Sequence, residues 1–227
     1  MASLAGIELL SDLRPEERKA LEAACSFKAY SPHEQIIDRA QESRDVCFVV
    51  TGHVRIVLYS LSGREVTLDD LGPGTYFGEL AALDGHPRSA SAMALDQVLI
   101  GFMPSDVFVG MLETHAVVAL KLMRRMARVV RNSTERIMDL STLGANNRVH
   151  AELLRQALRQ AESNGQARIR PIPVHGDIAS RVSTTRETVA RVMNDLARMG
   201  IVQRTKDCLV IRDLPGLREL VENVRGE

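Results

Sequence analysis

No run of about 18 apolar residues occurs anywhere in the 227-residue chain, so nothing in it suits a membrane-spanning helix. The first ten residues lack a basic stretch followed by an apolar one, which argues against a secretory signal. Cysteine is scarce: Cys25, Cys47 and Cys208 are odd in number and far apart. That suits neither a disulfide framework nor a zinc site with close-paired ligands, and a reducing, cytoplasmic setting is the expectation. Strands do not alternate with helices, so no doubly wound sheet is expected. Paired carboxylates, a metal motif and a nucleophile string are also missing. A nucleotide hydrolase would need them, and His86 stands alone, so no enzyme is expected.

Net charge is zero as well, with 29 lysines and arginines against 29 aspartates and glutamates. The balance is uneven along the chain. From Gly144 onward there are 14 basic against 10 acidic residues, leaving 15 against 19 before it. The C-terminal part is the one nucleic acid would prefer.

What is present begins with helical spacing over Leu10–Ala24. Short β-branched or alternating runs follow at Val46–Val50, Val54–Tyr59, Val66–Leu68 and Val98–Phe102. Turn signals separate them: Thr51-Gly52, Ser62-Gly63-Arg64 and Gly72-Pro73-Gly74. This pattern predicts an antiparallel sandwich or barrel.

A long helix is expected next, over about Ala116–Leu140. Ala119, Met123, Met126, Val130, Ile137 and Leu140 recur in steps of four and three, and the missing member of the seam is Ser133. A helix packed on its own domain can give such steps. The basic flanks Lys121, Arg124, Arg125, Arg128 and Arg131 favour a two-stranded coiled coil. Leu143–Asn147 reads as a hinge and 148–162 as a helix ending at Asn164-Gly165. A strand-like run covers Arg168–Val174, and two short helices flank Ser183-Thr184-Thr185. Strand-like runs at Val202–Arg204 and Cys208–Ile211 complete the outline of a winged helix-turn-helix.

Two strings carry chemistry. In the first, Phe77-Gly78-Glu79-Leu80-Ala81-Ala82-Leu83 leads through Asp84-Gly85-His86-Pro87 to Arg88-Ser89-Ala90. Gly78 permits a close turn after a strand. Arg88 offers a planar cationic fork suited to phosphate, and Ser89 adds a hydroxyl. Glu79 can accept hydrogen bonds from a sugar. Phosphate and ribose held together describe a nucleotide. In the second string, Thr184 and Glu187 have capping-box spacing. Val189, Val192 and Leu196 form a buried face, and Arg186, Glu187, Ala190 and Arg191 lie opposite, where a recognition helix meets base edges. Arginine can bond guanine bidentately, and glutamate can accept from cytosine.

The first string resembles the phosphate-binding cassette of cyclic-nucleotide-binding domains. From about Leu9 to Val210 the chain resembles the cyclic-AMP receptor protein (CRP/FNR) family of regulators. The resemblance implies an α+β protein: an N-terminal β jelly roll that binds cyclic nucleotide (1–115), a long dimerisation helix with hinge (116–143), and a C-terminal winged helix-turn-helix (144–227). It implies that Gly78 and Leu80 shape the cassette turn, that Glu79 accepts from the ribose 2′-OH, and that Arg88 and Ser89 hold the cyclic phosphate. Ser133-Thr134-Glu135 matches the family's Thr-Ser-Glu segment, in which the first hydroxyl meets the purine and the second reaches it from the partner subunit. Ser133 is smaller than the usual threonine, which leaves cAMP and cGMP both open. The family's usual Gly-Asp turn is Ala40-Gln41 here. An iron–sulfur sensor needs four thiolates, a retained Glu79 argues against a cyclic dinucleotide, and the intact Arg88-Ser89 pair argues against haem.

Arg186-Glu187-Thr188-Val189-Ala190-Arg191 resembles the family's recognition helix. The likeness implies a homodimer on double-stranded DNA with half-sites like T-G-T-G-A, and RNA polymerase as a further partner. Thr185 joins the DNA contacts, and Arg181, Arg204 and Lys206 are phosphate-contact candidates. His175-Gly176 stands where relatives carry longer polar side chains. The expected function is cyclic-nucleotide-gated, most simply cAMP-gated, transcription regulation. A DNA-binding protein with a vestigial pocket is the alternative.

Overall fold

A computed structural model describes residues 3–61, 63, 65–160, 162 and 165–225. It divides into two compact units, Met1–Val129 and Val130–Glu227. Ser62, Arg64 and Asn164, which belong to two of the expected turns, lie outside the described residues.

In the first unit a single 3₁₀ turn, Glu8–Leu10, precedes α1 (Pro15–Ala23). Proline at the first helical position suits the start of α1, because its missing N–H costs nothing there. Eight strands follow: β1 (Ser26–Tyr30), β2 (Gln35–Ile37), β3 (Val46–Thr51), β4 (Val54–Tyr59), β5 (Glu65–Leu71), β6 (Tyr76–Phe77), β7 (Ser91–Ala94) and β8 (Val98–Met103). Helix α2 (Glu79–Asp84) lies between β6 and β7. The strands form two four-stranded sheets, in the orders β1-β8-β3-β6 and β2-β7-β4-β5. Every pairing is antiparallel, which gives the expected jelly roll.

The two sheets share a core of Ile37, Cys47, Val49, Val54, Phe77 and Ile100, among others. The outer face of the first sheet is also covered. There Val46, Phe48 and Met103 meet Leu4, Leu10, Phe108, Val118 and Leu122. With both faces buried, β3 reads as an unbroken apolar run rather than an alternating one. Helix α3 (Ser105–Thr114) and the start of α4 (Ala116–Thr142) belong to this cover. The expected Gly-Asp turn is built without glycine. The Asp38 side chain accepts from Ala40 N at 2.9 Å, and its carbonyl accepts from Gln41 N at 3.0 Å.

The second unit contains α5 (Ala145–Leu158), β9 (Ala167–Ile169), α6 (His175–Arg181), α7 (Arg186–Arg198), β10 (Val202–Arg204), β11 (Leu209–Ile211) and α8 (Leu214–Arg225). The three strands form one antiparallel sheet, β10-β11-β9. One core joins Val149, Leu153, Ile178, Val189, Val192, Leu196, Leu209 and Leu217. Helix α5 starts at the hinge rather than at Arg148, and α8, which the sequence reading did not foresee, closes the core. No helix among the described residues is long and apolar enough to cross a membrane.

Candidate nucleotide pocket and DNA interface

Gly78 turns the chain from β6 into α2 with φ of 82°. A β-carbon there would sit 2.5 Å from Arg88 Nη1 and 3.2 Å from the Asp45 carbonyl. Glycine is therefore required twice, for its conformation and for its bareness. Arg88 lies inside the unit at 4% exposure. Its Nη1 donates to the Gly78 carbonyl at 3.0 Å, and its Nη2 donates to the Asp45 carbonyl at 2.8 Å and to Ser43 Oγ at 3.2 Å.

These acceptors are all neutral. Among the described residues no carboxylate forms an ion pair with Arg88, and its buried Nε has no hydrogen-bond partner. Burial lowers the guanidinium pKa, and the nearby Cys47, Asp45 and Glu79 oppose that shift. Cys47 remains a neutral thiol because burial raises its own pKa. A buried, unneutralised guanidinium is costly unless an anion completes it.

The adjoining pocket is small, about 50 Å³ as a cavity, and opens to solvent. Gly78, Leu80, Arg88 and Ser89 line it, with Ile37, Ile56 and Ala92 supplying apolar wall. Glu79 is the first residue of α2 and is not among the lining residues. Ser133 and Thr134 stand on the exposed part of α4 in the second unit. Thr134 Oγ1 donates to the Val130 carbonyl at 3.0 Å.

The seam residues of α4 divide. Val130, Ile137 and Leu140 are exposed, whereas Met126 packs on the first unit's core. The basic flank divides too. Lys121 pairs with Asp12 at 2.6 Å, and Arg125 lies 3.9 Å over the Tyr76 ring.

In the second unit α6 and α7 are joined by a short turn in which Ser183 has φ of 52°. The expected Thr184–Glu187 capping box does not form. Thr185 is the N-cap, its Oγ1 accepting from Thr188 N at 3.3 Å. Thr184 N donates instead to the Ala179 carbonyl, so Glu187 has no free N–H to reach there. Val189, Val192 and Leu196 are buried, leaving Arg186, Glu187 and Arg191 exposed. Glu187 is held below the ordinary carboxylate pKa, first by its own backbone N–H and then by the Thr185 hydroxyl. Arg204 ends β10, and Lys206 is exposed in the turn that follows.

Arg181 does not join this surface. Its side chain is 10% exposed and faces buried Glu152 at 4.0 Å, so its charge serves the interior and a phosphate contact is not what it is built for. Arg191 touches Asn146 Oδ1 at 3.4 Å.

A cyclic nucleotide-binding domain model matches residues 27–115, and a Crp-like helix-turn-helix domain model matches residues 147–220. The Cyclic AMP receptor protein of Thermus thermophilus is 31% identical over 215 residues, spanning 95% of this chain and 97% of that protein. This chain belongs to the CRP/FNR family of transcriptional regulators. A CRP-like cAMP-activated global transcriptional regulator of Mycobacterium tuberculosis is 30% identical over 166 residues, 73% of this chain and 74% of that one. The solved structure of a CooA mutant from Carboxydothermus hydrogenoformans shares the fold. It has a TM-score of 0.80 and 22% identity, and the match covers 94% of this chain and 95% of that chain.

As a CRP/FNR member, the chain is a DNA-binding transcription regulator with a cyclic nucleotide-binding domain. Several residues at its two sites left no trace in the sequence reading. The Asp45 carbonyl and Ser43 hydroxyl anchor Arg88, but a backbone acceptor leaves no residue-type signal. Arg148 is another. Its guanidinium donates to the Leu143, Val182 and Ser183 carbonyls, at 2.8, 2.8 and 3.1 Å. It thereby joins the hinge to the turn that sets α7. A polar arginine in a helix pattern reads only as surface.

Proposed function

We propose that this CRP/FNR regulator is a homodimer that binds a T-G-T-G-A-like palindrome when cAMP is bound. The observation that carries the reading is Arg88, a buried guanidinium served, among the described residues, only by neutral acceptors and with Nε unpartnered. A monoanionic cyclic phosphate supplies the missing charge and acceptor. In this reading Gly78 and Leu80 shape the turn, Ser89 adds a phosphate contact, and Glu79 accepts from the ribose hydroxyl. Ser133 and Thr134 meet the purine, the latter from the partner subunit. Their place about three helical turns before Gly144 lets a bound base bias α4 between two states that the hinge transmits.

Arg186, Glu187 and Arg191 read bases, while Thr185, Arg204 and Lys206 hold phosphates. The cytoplasm is the setting, and RNA polymerase is the partner the bound dimer addresses. The names of the relatives in T. thermophilus and M. tuberculosis support cAMP over cGMP. The test is fluorescence anisotropy on the palindrome with no ligand, with cAMP and with cGMP, at one salt concentration. cAMP is expected to raise operator affinity most. Both nucleotides satisfy Arg88, Ser89 and Glu79 alike, so cGMP is expected to bind but activate less. Equal affinity in all three conditions rejects gating and favours a vestigial pocket. Stronger activation by cGMP replaces the effector while leaving the pocket in place.

A further inference from the structure

We propose that Gly176 is a positioning residue for Arg186, and through it a determinant of operator specificity. Gly176 lies in the first turn of α6, and Arg186 is the first residue of α7. A β-carbon built on Gly176 would meet Arg186 Nε at 2.8 Å, Nη2 at 3.0 Å and Cζ at 3.1 Å. Three atoms of the guanidinium therefore lie on a patch of bare backbone. Val174, His175, Ala190 and Arg204 complete an open concavity around it, continuous with solvent.

Nothing in the backbone of Gly176 demands glycine, because its φ is not positive. Glycine in a helix costs stability relative to alanine through the greater freedom it loses on folding. Helix stability therefore gives no reason for its presence; the seat it leaves for Arg186 does. A guanidinium is a planar, rigid fork whose bidentate pairing with a base depends on orientation. A long exposed arginine otherwise samples many rotamers, and each must be frozen on binding. The Gly176 shelf restricts that freedom before DNA arrives.

The inference rests on Arg186 as a base reader, so the experiment separates the two. The duplex is the one that the wild-type protein enriches from a randomised pool with cAMP present. Gly176→Ala, Arg186→Ala and the double variant are compared with wild type for affinity to that duplex and to its single base-pair variants. Thermal midpoints are measured alongside. Gly176→Ala is expected to keep or raise the midpoint. It should nevertheless lose about tenfold in affinity and flatten discrimination at one base pair per half-site. In the Arg186→Ala background, adding Gly176→Ala should change affinity by less than about twofold. Wild-type discrimination in Gly176→Ala, or an undiminished loss in the Arg186→Ala background, overturns the positioning role. Arg186→Ala behaving as wild type rejects the base reader itself, and the positioning role with it.

Discussion

Arg155 on α5 reaches 2.7 Å from Asp139, in the last turn of α4, and its other amino group pairs with Glu152. Both carboxylates are buried, Asp139 at 6% and Glu152 at 2% exposure. One guanidinium thus serves two interior anions, with Gln156 donating to Glu152 at 2.8 Å. Removing one partner of a buried pair strands the other's charge and costs about 3–5 kcal/mol. Arg155→Leu should lose stability in urea unfolding, by less than a fully stranded charge would cost, because Arg181 still faces Glu152 at 4.0 Å and Gln156 still donates to it. The Asp139→Leu/Arg155→Leu double variant should lose clearly less than the two single losses together, because it leaves fewer stranded charges. Strict additivity would mean that the pair contributes nothing as a pair.

Gly78→Ala attacks the pocket at one atom. The new methyl would meet Arg88 Nη1 at 2.5 Å while the backbone holds φ of 82°. The left-handed conformation alone costs a non-glycine residue about 1–2 kcal/mol. Displacement of Arg88 should lower cAMP affinity at least about tenfold, since charged hydrogen bonds contribute about 1.5–3 kcal/mol each. Titration calorimetry reads both this variant and Arg88→Ala. Without ligand the arginine variant should change little in stability, because relief of the unneutralised buried charge offsets the donor that the Gly78 and Asp45 carbonyls lose. Unchanged cAMP affinity in both variants removes the phosphate role of Arg88.

His150 on α5 should make the second unit sensitive to acid. Its Nδ1 is buried without a partner. Burial lowers its pKa below the ordinary 6.5, with Asp195 opposing the shift. The sign follows from linkage. Below pH 6.5 the unfolded chain takes up the proton more readily than the folded one, so stability falls as pH drops toward the depressed folded value. Above 6.5 the contribution is complete and flat. Urea midpoints measured between about pH 7.5 and 5 should decline more steeply in wild type than in His150→Leu. Parallel slopes would place the acid sensitivity elsewhere.

The parts of the chain legible in the sequence were those with a local period. Val189, Val192 and Leu196 announced the buried face of α7 by their steps of three and four, and β4 and β8 by their β-branched runs. Gly78 was legible because a turn after a strand admits few other residues. What stayed hidden depended on distance along the chain. Arg155 with Asp139, and Arg148 with Val182, are contacts across 16 and 34 positions that no local pattern encodes. The cap of α7 was missed by one residue. Thr184 and Thr185 are equally good caps by type, and the structure uses Thr185, whose Oγ1 accepts from Thr188 N. On α4 the basic flank looked uniform, yet Lys121 and Arg125 serve the first unit's own packing.

That division of α4 fixes how the dimer should be tested. Met126 belongs to the seam by period but packs on the first unit's core, so a charge there would damage the fold and say nothing about assembly. Val130 and Ile137 are 64% and 62% exposed and flank Ser133, one helical step to either side. Burying such side chains contributes about 1.5–3 kcal/mol each, and a dimer buries them from both subunits. Val130→Asp with Ile137→Asp replaces that gain by unpaired charges in an apolar seam. The wild-type protein should elute from light scattering at twice the chain mass and the double variant at the chain mass, with the thermal midpoint of the variant's pocket unit unchanged. Operator binding should weaken strongly in the variant, because one reader then faces one half-site alone. On the proposed reading cAMP binding should weaken less, since Arg88, Ser89 and Glu79 would all come from one subunit and only the Thr134 contact would be lost. A monomeric wild type would end the coiled-coil reading. A dimeric double variant would move the interface to another face.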